Sequence, residues 1–295
     1  MAEQGARRAA VPLNWRVNKL SLAGLSWGQP GEKPLLALHG WMDNAASFTF
    51  LAPLLTGYHV VALDLTGHGQ SAHRSADASY QIWDDLPEIL GVLEALDWEI
   101  FDLVGHSRGA IISTLLASAF PERVQNLVLL DAVMPGAVAE SDFPLQMRTA
   151  LQDKARLLTR TNRVFSSVDV AIASRTERGL SLDAASALVE RNLRECPGGV
   201  SWTTDQRLRG ASAVKLSEEH IRAVLSELDM PTLLLLAQKT AGQAQALIDF
   251  ALLYIPHLTL NTIDGGHHFH MEDNVVKVAH RIQQFLSSAG ESELT

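Results

Sequence analysis

"LVGHSRGAII", residues 103–112, sets a serine between Gly105 and Gly109, with an apolar run before it and a run of small and apolar residues after it. The run before, "FDLVGHS" (101–107), has the composition of a buried strand, and the run from Arg108 to Phe120 predicts a helix. A strand that turns at once into a helix must bend sharply, and side chains on either side of the bend would clash; glycine at both flanking positions removes that clash. The residue at the apex, Ser107, is then held in a strained backbone conformation with its hydroxyl above the sheet. The new helix points its free amides and its dipole toward the same place.

Working outward, the same alternation recurs. "LLALHG" (35–40), "HVVALD" (59–64), "VQNLVLLD" (124–131), "PTLLLLA" (231–237) and "LTLNTID" (258–264) read as strands. Most are apolar at successive residues, which is the pattern of parallel strands covered on both faces. Helical patterns lie at about 78–96, 108–120, 242–255 and 270–287. Strand–helix alternation predicts an α/β fold with a doubly wound, mostly parallel sheet. The opening "WRVNKLSLAGLSWGQPGE" (15–32) predicts an antiparallel hairpin at the sheet edge. Between residue 135 and about 225 no good strand is visible, and four helical patterns follow one another. The expectation is a core of residues 1–134 and 226–295, with 135–225 inserted as a helical cap after the strand ending at Asp131. Such a cap sits over the carboxyl ends of the strands, where open α/β sheets bind ligands.

Composition excludes several classes. Of 295 residues, 47% are hydrophobic and 19% charged, which predicts a chain with a large interior rather than a disordered one. The formal net charge of −9 leaves no basic footprint for nucleic acid. No apolar run reaches the roughly 20 residues of a membrane span, and the opening "MAEQGARRAAVPLNW" has no apolar segment after its two arginines, so no secretory signal is expected. The one cysteine, Cys196, allows no internal disulfide and reads as a small apolar residue. A cytoplasmic location is the expectation.

A serine hydroxyl needs a base. "DGGHHFHMED" supplies three histidines after the last strand, and His267, directly behind Gly265 and Gly266, is best placed to reach the carboxyl edge of the sheet. His270 is expected to open the final helix and His268 to turn toward the cap or the surface. The trio lacks the paired spacing and carboxylate of a metal-binding helix, so no metal and no cofactor is expected. An oxyanion hole is the third requirement. "LLALHGWMDN" ends a central strand with His39-Gly40-Trp41, and the amides of Trp41 and Arg108 are the candidate donors. His39, Trp41, Met42, Phe143 and Trp202 are candidate pocket walls. The Arg108 side chain is expected either to form an ion pair beneath the cap or to meet an anionic substrate.

Together these motifs resemble the α/β-hydrolase superfamily over about residues 15–288. His39-Gly40-Trp41 matches its oxyanion loop, "DLTGHGQS" (64–71) its D-x-x-G-x-G-x-S loop, "GHSRG" its nucleophile elbow and "GGHHFHME" its histidine loop. "HGWMDN", "VLLDAV" and "TTDQRL" (203–208) look like the serine hydrolase-like group. Asp64 is expected to shape its loop. One departure is plain: in "PTLLLLAQKTAG", Ala237 stands where the family has glycine and Thr240 where it carries the triad acid. Some branches place that acid at the preceding strand end, and by this resemblance Asp131 takes the role. The resemblance implies a serine hydrolase acting on a small molecule with an activated carbonyl, through Ser107, His267 and Asp131. The same serine–histidine pair also serves cofactor-free oxygenases and carbon–carbon bond hydrolases, and the missing acid leaves a degenerate binding protein open as a third reading.

Overall fold

A computed structural model of the chain describes residues 9–242, 245–272 and 274–291. The stretch before Ala9, part of the segment read for a secretory signal, and the first residues of the expected 242–255 helix (243–244) lie outside them. The main sheet runs β1 (Val11–Val17), β2 (Leu20–Trp27), β3 (Lys33–Leu38), β4 (Tyr58–Leu63), β5 (Phe101–His106), β6 (Val124–Leu130), β10 (Thr232–Ala237) and β11 (Leu258–Ile263) in the order β1-β2-β4-β3-β5-β6-β10-β11. β1 and β2 form the expected antiparallel edge hairpin, β2 pairs antiparallel with β4, and every later pairing is parallel.

Apolar residues succeed one another along the strands because the sheet has two cores. In β3, Leu36 and Leu38 enter a cluster with Leu103, Ile112 and Leu116, while Leu35 and Ala37 enter the opposite one with Val104, Ile282 and Leu286. Alternate side chains leave a strand on opposite faces, so a strand covered on both sides needs apolar residues at every position. α1 (Leu86–Ala95), α2 (Arg108–Ala119) and α8 (Gln245–Tyr254) cover one face; α9 (Val275–Glu291) and the short turns of residues 45–54 cover the other. The final helix begins at Val275, not at His270, because Gly265 and Gly266 open a longer loop than the apolar periodicity suggests.

Strand order reverses at β3: the chain steps to β4 on one side and later to β5 on the other. A crevice opens at such a point above the carboxyl ends of the strands. The chain between β6 and β10 passes over this end. It contains α3 (Phe143–Leu157), α4 (Val168–Thr176), α5 (Leu182–Glu190) and α6 (Glu218–Ser226), but it is not all helical as expected. β7 (Val164–Phe165), β8 (Leu193–Cys196) and β9 (Gly199–Trp202) form a three-stranded antiparallel sheet in the order β7-β9-β8. β8 and β9 are joined through Pro197 and Gly198, the latter at φ +91°, where proline presets the first turn position and glycine tolerates the second. These strands carry too few residues for a visible alternation, so the proline–glycine pair is their only sequence signal. α6 contributes Ile221 and Leu225 to the core cluster that contains α2, and so packs with the main sheet.

The insertion is tied to the loop after β4. Arg191 puts its Nε 3.0 Å from Asp64 Oδ2 and its Nη2 3.2 Å from Gly24 O, all buried. Asp64 also accepts from the amides of Ala45 and Gln70, at 2.7 and 2.9 Å. Gly69 is needed here: at φ +51° a Cβ would sit 2.4 Å from the Asp64 carboxyl carbon. Thr203 donates to Gly69 O and the Asp205 amide to Gly67 O. Asp64 thus shapes its loop, as expected, and "TTDQRL" holds the insertion to it.

Candidate active site

β5 ends at His106, and α2 begins at Arg108, leaving Ser107 alone at the bend. Its φ of 51° and ψ of −116° lie where a residue with a side chain is strained. The flanking glycines are required by close approach: a Cβ on Gly105 would lie 2.4 Å from Gly109 O, and one on Gly109 only 2.1 Å from Leu38 O. Arg108 opens α2, so its amide has no acceptor within the helix.

His267 lines the same cleft as Ser107, a cavity of about 730 Å³. Its Nδ1 donates to Asp131 Oδ2 at 2.6 Å. Asp131 follows β6 directly and also bends out of its strand at positive φ, 57°. Its side chain is buried (3% exposed) beside a half-exposed imidazole. Three further contacts fix the carboxylate. The Ala237 amide donates to Oδ1 at 2.8 Å, and the Thr240 hydroxyl lies 2.7 Å from Oδ1 and 2.9 Å from Oδ2. The two departures in "LLLLAQKTAG" therefore converge on the carboxylate at Asp131: one supplies a backbone donor and the other a hydroxyl donor. A buried carboxylate with these donors stays a well-oriented acceptor for a histidine.

The neighbouring histidines His106, His268 and His270 are held by protein partners. His106 packs beneath Gly40 and donates from Nε2 to His267 O at 2.8 Å, which ties the histidine loop to the elbow. Burial first, then the neighbouring His270, His267 and His268, holds His106 neutral, well below the usual imidazole range. His270 does not open the last helix; it is fully buried before it, with Nε2 2.8 Å from Ser47 Oγ, and burial pushes its pKa down to about 3. His268 turns to Asp43 Oδ2 at 3.0 Å, and Arg175 binds the other oxygen at 2.6 Å. Burial alone would raise the Asp43 pKa, but the hydrogen bond from His268 and the charges of His268 and Arg175 hold it far below the usual carboxylate range. Asp43, His106 and His268 present ligand atoms within 4.8 Å of one another. Both oxygens of Asp43 are held by protein donors, Arg175 and His268.

Of the expected pocket walls, Trp41, Met42 and Trp202 line the cleft. His39 and Phe143 do not. His39 is buried, donating from Nδ1 to Gly40 O and accepting from the Leu65 amide at Nε2, which braces the loop from below. Phe143 begins α3 on the outer surface, 47% exposed, because α3 turns away from the cleft. Trp41 reaches up to the insertion, its indole donating to Leu208 O at 2.9 Å. The Arg108 guanidinium faces Asp85 at 3.8 Å and the carbonyls of Tyr80 and Gln81, and is absent from the cleft wall; the ion-pair expectation fits and the anion-contact one does not. Cys196 stands at the end of β8 and does not line the cleft. Sequence reasoning missed the Asp43–His268–Arg175 network, and it missed a ring of arginines in the cleft described below. Nothing in local pattern links residues 132 and 225 positions apart.

Comparison with known proteins agrees with this architecture. The family described as alpha/beta hydrolase fold matches residues 33–274. A serine hydrolase-like protein of Danio rerio is 30% identical over 292 residues, spanning 95% of this chain and 89% of the relative. One from Dictyostelium discoideum is 28% identical, spanning 86% of this chain and 75% of its own. Among solved structures, a hypothetical protein from Pseudomonas aeruginosa PAO1 superposes with a TM-score of 0.86 at 36% identity, covering 95% of this chain and 98% of that one. The thioesterase domain from the curacin biosynthetic pathway superposes with a TM-score of 0.82 at 26% identity, covering 93% and 99%. Among the described residues no helix is long and apolar enough to cross a membrane.

Proposed function

The chain belongs to the α/β-hydrolase family, close to the serine hydrolase-like proteins, and from that premise we propose that it hydrolyses carboxylic esters, thioesters and lactones included, through an acyl-enzyme on Ser107. In this reading His267 takes the Ser107 proton as the hydroxyl oxygen bonds to the substrate carbonyl carbon. The carbonyl oxygen becomes an oxyanion held by the amides of Trp41 and Arg108. Its collapse breaks the bond to the leaving group, which takes the proton from His267. Water then gives a proton to His267 and attacks the acyl carbon, and the acid leaves as Ser107 recovers its proton. Asp131 holds the imidazole with Nδ1 protonated, so that Nε2 is the free base, and stabilises the cation formed in each half-reaction. Residues 135–225 act as the cap that encloses the substrate, on a core of residues 1–134 and 226–295.

The observation that carries this reading is the 2.6 Å bond between His267 and the buried Asp131, in the cleft that holds the strained Ser107. The bonds to Asp131 from Thr240 and Ala237 weigh against a degenerate binding protein, since they support the relocated acid. The test is turnover of a panel of p-nitrophenyl esters by the wild type, Ser107→Ala and Asp131→Asn, beside a panel of β-diketones. Ester turnover lost in both variants supports the reading. Turnover of the diketones alone transfers the same residues to carbon–carbon cleavage.

A further inference from the structure

The chain as a whole is acidic, with a formal charge of −9, yet the wall of the cleft is not. Among the described residues that line it, five are arginines, Arg160, Arg163, Arg175, Arg178 and Arg209, and one is a carboxylate, Asp43. All six charges but Asp43 come from the insertion. Asp43 is already engaged by Arg175 at 2.6 Å. Arg163 lies over the Phe165 ring at 4.8 Å. Arg160, Arg178 and Arg209 have no carboxylate partner among the described residues.

Arginines elsewhere around the insertion are treated differently. Arg74 pairs with Glu88, Arg191 with Asp64 and Arg207 with Asp205, each within 3.0 Å. Arg209 instead meets like charges: burial, then the guanidinium groups of Arg160, Arg178 and Arg175, makes its charged form less favourable than in water. Its guanidinium carbon lies over the Trp41 ring, 5.7 Å from the centroid, beside the residue whose amide is the proposed oxyanion donor. Guanidinium groups stay charged at any working pH and grip carboxylate or phosphate oxygens through two parallel N–H bonds. A cleft that gathers several of them without counter-charges stores repulsion that an anion relieves.

We propose that this cleft selects esters or thioesters bearing a second, anionic group, a carboxylate or a phosphate, which Arg160, Arg178 and Arg209 hold while the carbonyl lies at Ser107; the proposal rests on the hydrolytic reading above. The anion can sit on either side of the scissile bond. On the acyl side it is a carboxylate of a dicarboxylic monoester, and on the leaving-group side a phosphate of a pantetheine-type thiol.

Two matched pairs of probes separate these cases. One is p-nitrophenyl hemiglutarate against its methyl ester; the other is S-acetyl-4′-phosphopantetheine against S-acetylpantetheine. The expected result is a kcat/KM at least about tenfold higher for the charged member of one pair, the size of one charge-assisted hydrogen bond. That preference shrinks as ionic strength rises. In Arg178→Gln/Arg209→Gln the ratio of charged to neutral turnover falls toward one, and in the Arg178→Lys/Arg209→Lys variant it is largely kept. Binding of the same four probes to Ser107→Ala, measured by calorimetry, removes chemistry from the question. Tighter binding of a charged probe with no turnover by the wild type upholds the anion site and overturns the hydrolytic reading. Turnover of neutral and charged probes at equal kcat/KM, with equal binding to Ser107→Ala, overturns the anion site and leaves hydrolysis standing.

Discussion

At Asp131 two donors, the Ala237 amide and the Thr240 hydroxyl, meet one histidine on a single carboxylate. If this carboxylate orients His267, then Asp131→Asn permits the wrong ring tautomer and ester turnover falls by roughly 10²- to 10⁴-fold, while the fold persists. Thr240→Val removes one neutral donor and leaves the Ala237 amide in place. A net hydrogen bond of about 1 kcal/mol is lost, so kcat is expected to fall five- to tenfold with KM little changed. Steady-state kinetics on one p-nitrophenyl ester checks both. Equal losses in the two variants would mean that Thr240 and Asp131 act as one unit and would contradict the smaller share given to Thr240. His106 is a positioning residue: His106→Phe frees the His267 carbonyl, and kcat is expected to drop about tenfold while the pH profile shifts, because the histidine loop loosens.

At the scale of elements, the contact between the insertion and the loop after β4 depends on Arg191 and Asp64, paired in the interior at 2.9 Å. Removing one partner of a buried pair strands the other charge. Arg191→Met is therefore expected to lower stability by about 3–5 kcal/mol, read as a shift of the urea midpoint. The double variant Asp64→Asn/Arg191→Met recovers part of that loss. A midpoint unmoved in the single variant refutes the latch. The elements also show what was legible in the sequence. Long parallel strands announce themselves by apolar residues at every position, and the elbow by its glycines, so the sheet, the edge hairpin and the place of Ser107 at the bend were legible. So was the place of His267 at the cleft, since two glycines behind a strand mark a loop at its carboxyl end. The strands β7, β8 and β9 were not readable, because two to four residues cannot display a period. The place of Phe143 was not readable either, since helical periodicity gives a helix its apolar face but not its direction. Thr240 looked like a defect in isolation; only the pairing of β10 with β6 brings it to Asp131.

Over the whole molecule, four fully buried histidines, His39, His68, His106 and His270, are all pushed by burial toward the neutral form. Each has a folded pKa below its unfolded one, near 6.5, so the unfolded chain binds more protons between those values. Their contribution to stability is present above pH 6.5 and is lost as pH falls through that window. For His270, with a folded pKa of about 3, the loss between pH 6.5 and pH 5 is about 2 kcal/mol. Urea unfolding at pH 7 and pH 5 is expected to show at least this difference, and His270→Asn a smaller one; a stability unchanged across that range contradicts the burial argument.

The proposed hydrolysis requires that one serine among those of this chain be activated by the His267–Asp131 pair. Its most direct test is intact-mass and peptide mass spectrometry after exposure to a fluorophosphonate. A single adduct on Ser107 is expected in the wild type, forming at least about a hundredfold more slowly in Asp131→Asn, on the order of the loss of a triad acid. An unmodified chain, or an adduct that forms on Ser107 equally fast in both proteins, contradicts it.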